Sequence, residues 1–340
     1  MITNPSSQAR KKSGNPEPAV LGVDLGGSKI LTAVINSRGN ILSRDYRMTP
    51  ANEGVEMVIR EIINSAACSA EQAGVSVPQL EAIGLGVPGV SNPESGVVFT
   101  SPHLNGWYDV PVRDIVERES GRKTFLINDA NAAALGELYF GAARGVRNFV
   151  YITVSTGIGG GIVINGELYS GAIGTAGEVG HMTIEANGPQ CNCGNRGCWE
   201  TLASGSALAR VAKQQIKEKA MTSILDYAYG DIEKVTAQVI QTAAEHGDAL
   251  ANDLITQTGY YLGIGLANLI NIFNPELIVI GGGLSNMSDL LFPPALQAVS
   301  QRAFGEAYRL ARFSTAELGG DSGVLGAATF ALHEIRKGHD

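Results

Sequence analysis

LGVDLGGSKILTAVI at residues 21–35 and YITVSTGIGGGIVIN at residues 151–165 follow one plan: an apolar run, a polar residue, glycines, and a second apolar run. Each reads as two strands around a glycine turn. A plain hairpin has the same plan, so the weight falls on the recurrence, which suggests a duplicated α/β unit. Beyond the first copy, residues 41–48 supply a third strand, and Val55, Val58, Ile59, Ile62 and Ile63 fall at helical spacing. Residues 82–87 and 124–127 read as buried strands, the second running into Asn128 and Asp129, with an alanine-rich helix over 130–139. In the second copy, 148–154 and 162–165 read as strands and 156–161 as the turn. Helices follow at 204–219, 232–246 and 249–273, then a strand at 277–280 that ends on three glycines, and a closing helix at 322–337. The expectation is an α/β fold of two lobes with a cleft between them. The first lobe would span 19–140 and take in the closing helix; the second would span 141–321.

Composition narrows the function. The 340 residues are 44% hydrophobic and 17% charged, which is the balance of a soluble globular protein with ample core. A net charge of −8 argues against a nucleic-acid partner. Arg10, Lys11 and Lys12 form the one basic run, inside a polar stretch over 1–18 that reads as a disordered leader and lacks the apolar core of a signal peptide. Residues 254–275 carry no charge but include Gln257, Asn268, Asn271 and Asn274, so they read as a buried helix and not a bilayer span. The expected setting is cytoplasmic, with no membrane partner.

Two tempting motifs fail. GLGVPG at residues 84–89 fits the dinucleotide fingerprint, but Pro88 and the following VSNPESG cannot open the helix that a pyrophosphate requires. No glycine-lysine-serine/threonine triplet exists, so there is no Walker A loop. The two glycine turns are better phosphate sites, because glycine lets backbone amides approach phosphate oxygens. Asp24 beside the first turn is placed to orient a magnesium-bound water. Asp129 follows a strand end, where α/β folds carry chemistry; it reads equally as a general base or as a helix cap.

EVGHMTIEANGPQCNCGNRGCWE, residues 178–200, carries the sharpest metal signal. Cys191, Cys193 and Cys198 supply three thiols, and His181 closes a tetrahedral structural zinc set. No C-x-x-C pair is present, which disfavours a redox role.

Together these residues resemble the ROK family of sugar kinases and repressors, from about Val20 onward. DLGGSK at 24–29 is similar to the family's DLGGTK, with Ser28 as a departure; INDANAAALGE at 127–137 resembles its catalytic segment; CNCGNRGCWE at 191–200 fits CxCGxxGCxE. The resemblance implies an actin-like, hexokinase-type fold that transfers the γ-phosphate of ATP, with Mg2+, to a sugar hydroxyl. It implies Asp129 as the base and sugar contacts from Gly89, Asn128, Asp129, Glu178, His181 and Glu200. Phosphate contacts would come from Asp24, Gly26, Gly27, Ser28, Lys29, Thr156 and Gly157, and nucleotide contacts from Gly281, Gly282 and Gly283. In SPHLNGW, many relatives have asparagine before the leucine; here that residue is His103, with Asn105 nearby as the candidate contact. The resemblance also implies a homodimer or higher homo-oligomer. Glucose is the favoured substrate, with N-acetylmannosamine and N-acetylglucosamine as alternatives. A repressor would need a helix-turn-helix before the first phosphate motif, and the roughly twenty residues there are too few. A sugar sensor without catalysis fits poorly with Asp129 and both turns present.

Overall fold

The computed structural model describes residues 18–337. The expected leader therefore lies outside the described residues, apart from Pro18. The first sheet is built from β1 (Ala19–Leu25), β2 (Lys29–Asn36), β3 (Ile41–Met48), β4 (Ile83–Val87) and β8 (Thr124–Asn128), in the order β3-β2-β1-β4-β8. Between β4 and β8 the chain adds a small sheet of β5 (Val90–Asn92), β6 (Val97–Thr100) and β7 (Tyr108–Val110). The second large sheet has β9 (Phe149–Val154), β10 (Ile158–Ile164), β11 (Glu167–Leu168), β12 (Leu277–Gly281) and β13 (Arg312–Thr315), ordered β11-β10-β9-β12-β13. In both, three antiparallel strands lead to two parallel partners on the far side of the first strand. The repeat read from two glycine turns is thus a repeat of whole-sheet topology.

Helices cover the sheets asymmetrically. On the outer face of the first sheet lie α1 (Val55–Gln72) and α2 (Val112–Ser120); Val58, Ile59, Ile62 and Val116 pack there on Leu21, Val23 and Leu85. The outer face of the second sheet is covered by α4 (Glu200–Ala203), α5 (Gly205–Lys217), α6 (Ile224–Tyr227), α7 (Ala237–Glu245), α8 (Ala249–Phe273) and α9 (Ser288–Arg302), with α10 (Gly305–Leu310) at its margin. Between the sheets run α3 (Asp129–Phe140), on the second sheet, and α11 (Ser322–Lys337), on the first. Among the described residues, no helix is long and apolar enough to cross a membrane.

Several elements differ from the sequence reading. Gly159, Gly160 and Gly161 lie within β10, not in the turn, which shrinks to residues 155–157. A Cβ at Gly159 would stand 3.1 Å from Ala130 Cβ, and one at Gly161 2.5 Å from Ala134 Cβ, so these glycines admit α3 to the sheet. The helix expected over 232–246 is a 3-10 turn at Ile232–Lys234 followed by α7, which starts where Thr236 Oγ1 accepts the Val239 N–H at 3.3 Å. The sequence reading has no counterpart for β5–β7, β11, β13, α2, α4, α6, α9 or α10.

Gly136 and Gly326 mark where α3 and α11 cross; a side chain at either would run into Ser322 or Ala132 backbone. Alanine at Gly326 gains about 1 kcal/mol of helix propensity, but forcing a methyl between two backbones costs about 1–3 kcal/mol or more. Gly326→Ala is therefore expected to lower the urea midpoint, while alanine at the open position Gly305 leaves it nearly unchanged.

Candidate active site

β1, β4 and β8 run parallel, so Asp24 at the end of β1 and Asp129 just past β8 stand on the same edge of the sheet. Asn128 Oδ1 accepts the N–H groups of Ala130 (3.0 Å) and Asn131 (3.1 Å), so the cap of α3 is Asn128. Asp129 keeps one local bond, from Ala130 N to Oδ1 at 2.8 Å. The Asn128 amide also donates to Gly89 O at 3.3 Å, where the chain leaves β4 with Gly89 at φ +96 and no room for a side chain against Thr100 and Ser101.

Both aspartates touch the cleft but are walled by protein. Burial pushes the Asp24 carboxyl up to about 6, opposed by the Lys29 ammonium. Burial pushes Asp129 up to about 7, with the Asp24 and Glu178 charges adding and the Ala130 N–H opposing. Glu178 is raised by burial and by Glu200, against the pull of His181. Glu200 Oε2 in turn accepts the Ile158 N–H at 3.0 Å and fills the space above Gly157. Asp24, Asp129, Glu178 and Glu200 thus form a run of interacting carboxyls from the first glycine turn to the second.

The first turn is closed by Gly26 N–H to Lys29 O (2.8 Å) and clamped by Thr49, whose hydroxyl donates to Gly26 O (2.8 Å) and whose N–H donates to Ser28 O (3.0 Å). Gly27 packs under His103, at a position where a Cβ would come 2.7 Å from the His103 Cβ. In the second turn, Ser155 N–H donates to Gly157 O (2.9 Å), leaving Thr156 exposed; Gly283 lies beside Ser155, and Gly281 and Gly282 precede it at the end of β12. Asn105 stands apart. It is exposed, its N–H bonds Ala51 O at 2.8 Å, and its side chain makes no hydrogen bond to the cleft residues among those described. Sequence reasoning missed Thr49 and the packing of Gly323 under Asp24, where a Cβ would stand 2.8 Å from the carboxyl carbon.

His181, Cys191, Cys193 and Cys198 bring their ligand atoms within 4.8 Å of one another. His181 Nδ1 is 3.6 Å from Cys191 Sγ, and Cys193 Sγ is 3.7 Å from Cys198 Sγ. The other ring nitrogen, Nε2, faces Glu178 Oε2 at 3.9 Å. Burial and the neighbouring sulfurs push the Cys198 thiol up to about 12. Three sulfurs this close suit a divalent cation, which would favour their thiolate forms. Gly194 (φ +94) and Gly197 (φ +64) make the turns between ligands. Fully buried Trp199 anchors the loop to α8, its Nε1–H donating to Tyr261 O at 3.0 Å.

A profile of the ROK family matches residues 20–334. The chain belongs to the ROK family. It is 37% identical to a glucokinase of Thermotoga maritima over 94% of this chain and 99% of that one. A ROK family glucokinase of Streptomyces griseus, solved in complex with glucose and AMPPNP, superposes with a TM-score of 0.82 at 35% identity, covering 93% of this chain and 99% of that one. A xylose repressor of Caldicellulosiruptor bescii is 33% identical over 93% of this chain and 79% of its own length. The two-lobed, actin-like sugar-kinase fold expected from the sequence is the ROK fold observed here.

The raised carboxyls make stability depend on pH. Below about 4 both aspartates are protonated folded or unfolded; as pH rises toward 7 the unfolded chain releases its protons first, so the folded state loses stability. The stability gained by Asp129→Asn over the parent is expected to be larger at pH 8 than at pH 5 by about 1–3 kcal/mol in urea titrations.

Proposed function

We propose that the chain is an ATP-dependent hexose kinase that phosphorylates the 6-hydroxyl of glucose, with Asp129 as general base. The observation that carries this reading is Asp129: a carboxyl near neutrality, about 7, at a parallel-strand end between two glycine turns. Its likeness to the two glucokinases supports the substrate. Asn128, Glu178, His181, Glu200 and the Gly89 turn would contact the sugar, whereas Asn105, which stands apart from them, is not assigned a contact. Glu178 and Glu200 suit hydroxyls as charge-assisted acceptors. Gly27, Ser28 and Lys29 of the first turn, framed by Asp24 and Gly26, and Thr156-Gly157 offer donors to phosphate oxygens, and Gly281, Gly282 and Gly283 give the nucleotide a side-chain-free surface.

Asp129 takes the proton of the 6-hydroxyl as its oxygen attacks the γ-phosphorus. The new O–P bond forms as the bond to the β,γ-bridging oxygen breaks, and ADP leaves with that electron pair. Asp24 is the carboxylate that would orient a magnesium ion brought with ATP, which when bound would supply charge neutralisation to the phosphates. His181, Cys191, Cys193 and Cys198 would hold a structural zinc, which would fix the segment bearing Glu178 and Glu200. The protein works as a homodimer or higher homo-oligomer, which light scattering after size exclusion reads directly.

A coupled ADP-release assay over glucose, N-acetylmannosamine and N-acetylglucosamine should give the highest kcat/KM with glucose. Asp129→Asn should fold normally and lose about 10²–10⁴ in kcat; parental turnover would reject Asp129 as the base. Sequence-specific DNA retention without sugar turnover would reject the kinase reading. Metal analysis should find about one zinc per chain, and none in the Cys193→Ser/Cys198→Ser double variant.

A further inference from the structure

Glu137, on the last turn of α3, is fully buried and pairs with no basic side chain among the described residues. Four donors converge on it instead. Oε2 accepts the N–H groups of Ala142 (2.8 Å) and Glu317 (3.1 Å); Oε1 accepts the Leu318 N–H (3.0 Å) and the Ser322 hydroxyl (2.8 Å). Four donors match a carboxylate, which only accepts; an amide would turn its NH2 onto two of them whichever way it faced.

The donors belong to the two passages of the chain between the sheets. Residues 141–148 lead from α3 to β9, and residues 316–321 lead from β13 back to α11. The backbone joins in, with Gly141 and Ala143 N–H groups on Glu137 O at 3.2 and 3.0 Å. Beyond Ser322 the next residue is Gly323, which lies directly under the Asp24 carboxyl. At the other end of α3 from Glu137 stands Asp129.

We propose that Glu137 is a positioning residue that ties both inter-lobe crossovers to α3, and so sets Asp24 and Asp129 relative to each other as the lobes close. It touches no substrate. It acts through the start of α11, which carries Asp24 on Gly323, and through α3, which carries Asp129. Misplacing two catalytic carboxyls by a fraction of an ångström reduces turnover without removing any contact to sugar or nucleotide. This inference rests on the kinase reading only for its kinetic consequence.

The test compares Glu137→Gln, Ser322→Ala and, as a destabilised control away from the crossovers, Ile240→Val in the second lobe's helical core. At a temperature where circular dichroism shows each variant folded, Glu137→Gln should lose about tenfold or more in kcat while glucose and ATP KM stay within about threefold. Ser322→Ala, which removes one donor, should lose less, and Ile240→Val should keep the parental kcat. Hydrogen exchange at Ala142, Glu317 and Leu318 should accelerate together, roughly tenfold, in Glu137→Gln while β9 amides keep their protection. Parental kcat in the folded Glu137→Gln, or acceleration at one crossover only, overturns the proposal. Should Glu137→Gln not fold, Ser322→Ala decides: parental kcat with unchanged exchange at Leu318 overturns it. A parent chain that phosphorylates no sugar defeats the kinase reading instead, and the exchange result still tests the clamp.

Discussion

α3 and α11 lie side by side between the two sheets, and at their closest approaches one of the two surfaces is glycine. Gly22 and Gly84 let α11 onto the first sheet, Gly159 and Gly161 let α3 onto the second, and Gly136 and Gly326 let the helices meet. Interiors pack at near-crystalline density, so a contact made backbone to backbone tolerates no added methyl and little sliding. The cleft edge inherits that rigidity. Asp24 sits over the start of α11 and Asp129 is the first residue of α3, so the two carboxyls are placed by one helix pair.

Three acidic residues share this joint and differ in what surrounds them. Glu137 is closed off by four donors and has no capacity left for chemistry. Burial pushes the Asp129 carboxyl up to about 7, with two like charges adding and the Ala130 N–H opposing, so it holds its proton more tightly than a free carboxyl and releases it near neutral pH. Asp24 lies between these cases, moderated by Lys29. Burial is the largest cause of the upward shift at both aspartates, and neighbouring charge adds to it at Asp129 and opposes it at Asp24.

The hairpins at residues 21–35 and 151–165 were legible because strand, turn and strand are contiguous, and the thiol loop because ligand spacing is local. The role of Gly159–Gly161 was not. A glycine run reads as a turn by propensity, whereas here Gly159 and Gly161 answer to Ala130 and Ala134 of α3 and Gly160 to Val179 on the opposite face. β5 and β7 have three residues each, too short for alternation to register, and α9 is masked by Pro293 and Pro294 inside it. Glu137 was visible only as the last letter of INDANAAALGE, since its partners lie up to 185 positions away. Asp129 was readable as a candidate; that Asn128 takes the cap could be seen only in three dimensions.

The placement of α11 has a consequence for how the molecule is made. Val20, Leu31, Ala33 and Ile35 of the first sheet are buried against Val324, Leu325 and Ala328, which are synthesised after the strands of both sheets. On a ribosome adding about 5–20 residues per second, the inner face of the first sheet waits some tens of seconds for its cover, with its edge and apolar surface open to other chains. The second sheet waits less, because α3 already covers the face on which Phe149, Tyr151 and Val279 share a cluster with Ala327 of α11. The first unit to emerge is therefore the last to be completed, and the aspartate that closes β1 acquires its setting only when the closing helix docks.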